Sequence, residues 1–225
     1  MTTVIGDLLP LALGVAVSPV PIIALVLMLL APRAGAASAC FGLGWVLGIL
    51  VATLVVLAIA TSADLGNASG EPSSTQGWIQ LSLGVLLLFV AMRQWRSRPT
   101  GDEPASLPSW MAAIDHMSPV RAAGLGFALA AVNPKNLLLC IAAGVSIAGG
   151  SLDDGQQVIA ILIFTLIAAS TVLVPVVGYA VMRDQLRGPL DDLKGWLQQN
   201  NATVMAVLML VIGVTLIGKG ISALG

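Results

Sequence analysis

The residues best suited to chemistry form a polar hexapeptide, Ala131–Asn136, inside an apolar stretch that runs from about Arg121 to Gly149. A lysine at bilayer depth is costly, so Lys135 needs a reason to be there. Pro134 has no backbone N–H and crowds the carbonyl four residues earlier, so the helix must bend or open. Freed carbonyls, two amides and a charge then lie together. Such backbone is tolerated in a membrane only where it faces protein or a water-filled cavity, which makes the segment a candidate binding site.

The composition indicates that these residues belong to an integral membrane protein. Apolar residues make up 57% of the 225 residues, charged residues make up 9%, and the mean hydropathy is +0.97. These values differ widely from those of an ordinary globular domain. Since a membrane span needs ~20 residues, the length suits one polytopic bundle. The net charge is -1 and basic residues form no cluster that would follow a phosphate backbone, so we expect no nucleic-acid partner.

Six apolar runs predict an all-α fold of six transmembrane helices. They are Val4–Leu30, Ser38–Thr61, Trp78–Met92, Arg121–Gly149, Val158–Met182 and Ala202 to about Ser222. Gly42, Gly44 and Gly48 predict a small-residue face for close helix packing in the second run. Trp110, Ile114 and Met117 have the spacing of an apolar helical stripe, which predicts a short interfacial helix before the fourth run.

The first and fourth runs carry helix breaks at corresponding positions. The segment Gly14–Ile23 aligns with Leu129–Leu138, and each places a polar residue and then a proline after a valine. Each half of the chain has three spans, an odd number, so the second half must enter the membrane in the opposite sense. We therefore predict two inverted three-helix repeats, residues 1–98 and 121–225, joined by a cytoplasmic linker over residues 99–120.

The two breaks supply the candidate substrate-binding residues. Lys135 could hold an anionic carboxylate, sulfate or phosphate head group, or it could pair with an acid and couple transport to protons. The candidate coupling acids are Asp7 and Asp115. Alternatively, Lys135 pins the broken helix by donating to its carbonyls, and the first break is a packing kink. The full candidate set is Ser18, Pro19, Pro21, Asn133, Pro134, Lys135 and Asn136.

Enzymatic and metal-binding sites are not predicted. A membrane-embedded enzyme would need histidines, acidic clusters or a serine beside a base within the spans, and the apolar runs contain none of these. His116 is the one histidine, and a lone histidine beside Asp115 favours a surface position. Asp153 and Asp154 form a turn that is better explained by solvation than by a cation. We expect no cofactor and no metal.

Several motifs resemble one family of membrane proteins. The segments Pro108–Asp115, Ser118–Ala122 and Val132–Leu137 resemble the GAP family, also called the sulfolipid-addressing or peptidoglycolipid-addressing proteins, of the LysE superfamily. The resemblance covers nearly the whole chain and is most specific around Asn133. It implies a six-helix fold of paired three-helix units and a role in exporting cell-surface glycolipids in mycobacteria and their relatives. The wider superfamily exports amino acids, metal ions and other small solutes.

The expected function is export across the plasma membrane, with a path between the two proline-broken helices. The chain would act as the exporter or as an essential subunit of an export machine. The expected partners are membrane lipids, an anionic lipid or small-molecule substrate, a larger lipid-export machinery and a second copy in a homodimer. The alternatives are a LysE-type exporter of small solutes and a non-transporting scaffold for lipid export.

The basic residues predict the orientation in the membrane. Eight of the ten basic residues flank the first, third and fifth loops, whereas the second and fourth loops carry acidic residues and no basic ones. By the positive-inside rule the odd loops are cytoplasmic and both termini lie outside, with Lys219 as the exception. An impermeant thiol reagent should therefore label Ser69→Cys and Asp154→Cys variants in intact cells. Protection of both sites would contradict this orientation.

Overall fold

The computed structural model describes residues 1–31, 34–62, 74–98, 114 and 117–224. Over these ranges the chain forms eight α-helices, which confirms the all-α prediction. They are α1 (Thr2–Ala16), α2 (Pro19–Leu30), α3 (Ala34–Ser62), α4 (Ser74–Arg96), α5 (Pro119–Ala131), α6 (Pro134–Ala148), α7 (Asp154–Val181) and α8 (Arg183–Leu224).

The linker predicted over residues 99–120 lies largely outside the described residues. Trp110, Asp115 and His116 are among the residues not described, so the interfacial helix stays a prediction. Two members of its apolar stripe are described. Ile114 is buried, and Met117 packs against the core.

Four helices are long and apolar enough to cross a membrane: Gly35–Ser62, Ser74–Arg96, Asp154–Val181 and Gln185–Leu224. Two further pairs qualify as broken spans, because α1 and α2 meet at a bend of 51° and α5 and α6 at a bend of 62°. Large apolar side chains such as Leu43, Phe89 and Leu166 are exposed on the surface of the bundle. A wide exposed apolar surface is typical of contact with lipid. The chain is a multi-pass membrane protein with four spans, or six if each bent pair crosses once.

The last helix extends further than the sixth apolar run. The stretch from Leu190 to Leu197 and the run from Ala202 join in α8, a continuous helix of 42 residues. The residues between them are Gln-Gln-Asn-Asn and include no proline or glycine, so the backbone has no reason to stop there. At ~1.5 Å per residue, α8 is about 63 Å long, roughly twice the ~30 Å hydrocarbon core.

The main helix contacts join the two halves of the chain. Helix α4 packs most extensively against α8 and α3 against α5, and α1 packs against α7. Glycines allow the close approach: a Cβ atom added at Gly48 would lie 2.7 Å from the Cβ of Ala130, and one added at Gly84 would lie 2.7 Å from the carbonyl oxygen of Gly213. Gly44 likewise faces the backbone of Ala123. The predicted packing face is confirmed for Gly44 and Gly48, whereas Gly42 makes ordinary contacts with α7.

Two glycines of α5 provide a test of this packing. A Cβ atom added at Gly126 would clash with the backbone carbonyl of Phe41, whereas one added at Gly124 would meet no atom within 4 Å. We expect Gly126→Ala to lower the free energy of unfolding by about 1–3 kcal/mol, the usual cost of overpacking. Gly124→Ala is the matched control and should leave stability unchanged or slightly raised. Thermal unfolding in detergent measures both; equal melting temperatures would contradict the close α3–α5 contact.

Candidate functional site

The break in the first span frees a backbone carbonyl. In a continuous helix the N–H of Ser18 would donate to the carbonyl of Gly14. Instead it donates to the carbonyl of Ala16 at 2.9 Å, and Ser18 adopts an extended conformation that begins α2. Pro19 follows as the first residue of α2, where a missing N–H costs nothing. The carbonyl of Gly14 is therefore left without a donor from its own helix.

The second break likewise leaves the carbonyl of Leu129 without its helical donor. The N–H of Asn133, its expected donor, goes to Ala128 at 3.2 Å instead. The Asn133 side chain accepts from the backbone N–H of Lys135 at 3.1 Å and so caps α6. Pro134 begins α6 just as Pro19 begins α2. Two freed carbonyls thus lie at aligned positions, 14 and 129.

Side chains from the start of α6 donate hydrogen bonds to both carbonyls and so connect the two breaks. The ammonium of Lys135 donates to the carbonyl of Gly14 at 2.6 Å and to the hydroxyl of Ser18. The Ser18 hydroxyl donates to Oδ1 of Asn136 at 3.0 Å, and Nδ2 of Asn136 donates to the carbonyl of Leu129 at 3.0 Å. We call this set, Gly14, Ser18, Leu129, Lys135 and Asn136, the break network.

The break network is enclosed. Lys135 is 4% exposed, Ser18 1% and Asn136 0%. Among the described residues, no carboxylate lies within salt-bridge distance of the Lys135 ammonium. A buried ammonium without a counter-ion rests on its hydrogen bonds alone, and these supply only partial compensation. The position therefore favours an anion.

Backbone groups at the breaks offer little to such an anion. Helix N-termini often bind anions through free N–H groups. In α2, however, Pro19 and Pro21 have no N–H, and the N–H of Ile22 donates to Ser18. In α6, Pro134 has none, and the N–H of Lys135 is used by the Asn133 cap. The ammonium of Lys135 is the charged donor that these breaks hold for a negative group.

The candidate set from the sequence does not include three residues of this arrangement. Gly14 and Leu129 take part only through their carbonyls, so their residue types carry no signal. Thr171 of α7 donates from its hydroxyl to the carbonyl of Ala16 at 2.6 Å. Its hydroxyl within an apolar run was the available signal, since hydroxyls in spans often satisfy freed carbonyls.

The coupling candidate Asp7 is not beside Lys135. It forms an ion pair with Lys219, with 2.6 Å between the oxygen and the ammonium nitrogen. Seven residues separate Asp7 from Gly14, or about 10 Å along α1 at ~1.5 Å per residue. The other candidate, Asp115, lies outside the described residues.

The Asp7–Lys219 pair lines a cavity of about 590 Å³ at the end of the bundle where α1 begins and α8 ends. Its other polar lining residues include Gln76, Gln80 and Ser146. We call this cavity the vestibule. Lys135 and Asn136 are not among its lining residues.

Comparison with known families decides the relationship that the motifs indicated. Residues 8–222 match the family model for Sap, the sulfolipid-1-addressing protein. The chain belongs to this family. The match to the sulfolipid-1-addressing family includes both helix breaks, so the resemblance to the sulfolipid-addressing proteins is confirmed. No curated protein and no solved structure gave a significant match.

The Asn136 amide gives the break network a direct test in this member of the sulfolipid-1-addressing family. Asn136→Leu would leave the Leu129 carbonyl without a donor and the Ser18 hydroxyl without its acceptor. Because each unsatisfied buried group costs about 1–3 kcal/mol, we expect a clear loss of thermal stability in detergent. Asn200→Leu is the matched control, since the Asn200 amide donates to the Trp196 carbonyl of its own helix and to no other described residue. Equal melting temperatures for the two variants would contradict the network.

Proposed function

We propose that the chain exports an anionic amphiphile across the plasma membrane, alone or as an essential subunit of an export machine. The observation that carries this proposal is the Lys135 ammonium, which is buried between two broken helices and, among the described residues, pairs with no acid. Charged groups at such depth usually mark a substrate or ion pathway. The family's description as sulfolipid-1-addressing supports a lipid with an acidic head group.

We further propose that the six spans form two inverted repeats, with both termini outside. Exchanging α1–α4 with α5–α8 would turn the α3–α5 contact into α7–α1 and the α2–α8 contact into α6–α4. The chain makes each of these contacts. The same exchange would superpose the carbonyl of Gly14 on that of Leu129, and each accepts from a side chain of α6. Inverted repeats of this kind commonly bind substrate where their broken helices meet.

The hydrogen bonds of Lys135 indicate how transport would proceed. The ammonium donates hydrogen bonds to the Gly14 carbonyl and the Ser18 hydroxyl, which both belong to the first broken span. An acidic head group would compete for the ammonium, because a hydrogen bond to an anion is about twice as strong as one to a neutral oxygen. Binding would then weaken the Lys135 hydrogen bonds that join the α1–α2 and α5–α6 spans. The path opens between them when the ammonium leaves the Gly14 carbonyl.

The second break also suits a molecule with a lipid tail. Its outer edge faces the surroundings of the bundle, since Val132 is 67% exposed and Pro134 is exposed. Its inner edge carries the buried Lys135 and Asn136. An amphiphile could therefore keep its chains in the bilayer while its head group reaches the ammonium. A small hydrophilic solute would gain nothing from the apolar outer edge.

A scaffold role is the second candidate, and a specific observation favours it. The Lys135 ammonium already satisfies a carbonyl that the first break leaves free. In this role Lys135 holds the two broken spans together and never releases them. The scaffold would contribute to export by placing other subunits.

Lys135→Met separates the two roles. If the ammonium binds the head group, export per molecule of protein should fall to background, even where some stability is lost with the Gly14 hydrogen bond. If Lys135 only joins the broken spans, surface lipid should fall only in proportion to the amount of folded protein. The measurement is the extracted surface lipid by mass spectrometry, normalised to protein abundance, in cells that carry each variant as the sole copy.

Two further variants complete this experiment. Lys135→Arg should be partly active as an exporter, because a planar guanidinium fits poorly where a compact ammonium binds. Lys194→Met is the matched control, since within the described ranges Lys194 pairs only with the exposed Asp191 of its own helix. A stable and fully active Lys135→Met protein would contradict both roles.

A further inference from the structure

A cavity of about 480 Å³ opens on the outer surface of the bundle between α4 and α8. Its floor includes Ala91 and Ala206, which are each 4% exposed. These alanines lie seven residues from the close contact of Gly84 with Gly213, one further along α4 and the other further back along α8. The walls are larger side chains that are about half exposed: Met92, Trp95, Val207 and Leu210. We call this cavity the α4–α8 groove.

The α4–α8 groove has the character of a site for a hydrocarbon chain. Apart from the indole N–H of Trp95, its lining side chains are apolar. In a membrane-spanning bundle such a surface faces lipid, and an acyl chain can fill it without removing any polar group from water. The lining residues of α4 run from Leu88 to Trp95, or about 10 Å along the helix at ~1.5 Å per residue. This is roughly a third of the ~30 Å hydrocarbon core.

Three arginines surround the end of the α4–α8 groove at the end of α4. Arg98 stacks on Trp95, with 4.0 Å between the guanidinium carbon and the ring centroid. Arg93 and Arg96 line a smaller hollow of about 190 Å³, which shares Met92 with the groove. All three arginines are exposed, and none pairs with an acid among the described residues. Positive charge therefore lies where the apolar groove reaches the end of the span.

We propose that the α4–α8 groove binds a phospholipid of the bilayer whose head group carries a net negative charge, such as phosphatidylglycerol. One acyl chain lies in the groove, and the phosphate lies against Arg93 and Arg96. Guanidinium groups match the geometry of phosphate oxygens, and basic residues beside membrane spans attract anionic head groups. The end of α4 carries only about half a negative charge from the helix dipole, which three arginines exceed.

This inference does not depend on the proposed export, because the groove and the break network lie on different sides of α8. Val207 and Leu210 face the groove, whereas Ile212 is 3% exposed and its side chain faces Gly14 of the break network. The vestibule lies at the other end of α4, where Gln80 lines it. The bound phospholipid is therefore a component of the bundle surface and not the exported molecule.

Lipid binding to the purified full chain in detergent tests the proposal without any transport step. Native mass spectrometry measures the affinities for phosphatidylglycerol and for phosphatidylcholine, which has no net charge. We expect phosphatidylglycerol to bind about thirtyfold more tightly, which corresponds to about fivefold for each of two arginines. Equal affinities would mean that the arginines do not select the head group, and they would overturn the proposal. Displacement of the lipid by excess inorganic phosphate would indicate an ion site only and would also overturn it.

A pair of double variants tests the arginines. Arg93→Gln with Arg96→Gln should lower the affinity for phosphatidylglycerol about thirtyfold, to that for phosphatidylcholine. Arg183→Gln with Arg187→Gln is the matched control, since it removes two exposed arginines that line neither the groove nor the hollow. The control should bind phosphatidylglycerol as the wild type does. The same affinity in both double variants would contradict the proposed position of the head group.

A pair of tryptophan variants tests the position of the acyl chain. Val207→Trp fills the groove from its exposed side, so it should abolish the preference for phosphatidylglycerol while the melting temperature is unchanged. Val214→Trp is the matched control, because Val214 is similarly exposed on α8 and does not line the groove. Equal phosphatidylglycerol binding by the two folded variants would place the lipid elsewhere and overturn the proposal.

The Lys135→Met protein distinguishes this inference from the proposed function. Lys135 does not line the groove, so this variant should bind phosphatidylglycerol with unchanged affinity whether or not it exports lipid. Loss of phosphatidylglycerol binding in this variant would place the phospholipid in the break network and overturn the inference. Full export by Lys135→Met with phosphatidylglycerol binding intact would contradict the proposed function alone.

Discussion

A backbone carbonyl inside a membrane must find a hydrogen-bond donor, because no water is there to supply one. The two proline breaks leave the carbonyls of Gly14 and Leu129 without their usual helical donors. Lys135 and Asn136 provide the replacements, and Ser18 connects them. These side chains therefore help to stabilise the bends of 51° and 62°. The side chains that satisfy the freed carbonyls also form the candidate substrate site.

The sequence was sufficient to predict the helices and the polar residues at the breaks, for physical reasons. Apolar runs separate clearly from polar loops in a membrane protein, and a proline beside an amide and a lysine has few structural explanations. Ser18 and Lys135 were named as candidates because of their residue types. That they contact each other could not be read from the sequence, since 117 positions separate them along the chain.

Other features of the site had no signal in the residue types. The carbonyls of Gly14 and Leu129 belong to residues with no polar side chain. The pairing of Asp7 with Lys219 depends on two helices that begin and end at the same depth. The sequence predicts both residues near the ends of their spans, and equal depth is the clue that connects them. The vestibule arises from the arrangement of four helices, which no single motif encodes.

The two breaks are alike in backbone and unlike in charge. In the alignment of the halves, Lys135 corresponds to Val20, and Asn136 corresponds to Pro21. Each half thus frees a carbonyl at the aligned position, Gly14 or Leu129, and α6 supplies the donor to both of these carbonyls. A symmetric pair of lysines would bring two like charges close together at low dielectric, which is strongly unfavourable. One charge between two similar breaks avoids that repulsion and makes the site asymmetric.

The glycine contacts between the two halves also limit when the helices can pack during biosynthesis. Gly44 and Gly48 of α3 meet α5, and Gly84 of α4 meets α8. The ribosome makes α3 and α4 before either partner exists, so these bare backbone faces first meet lipid. These faces therefore lack their partners until α5 and α8 have been made.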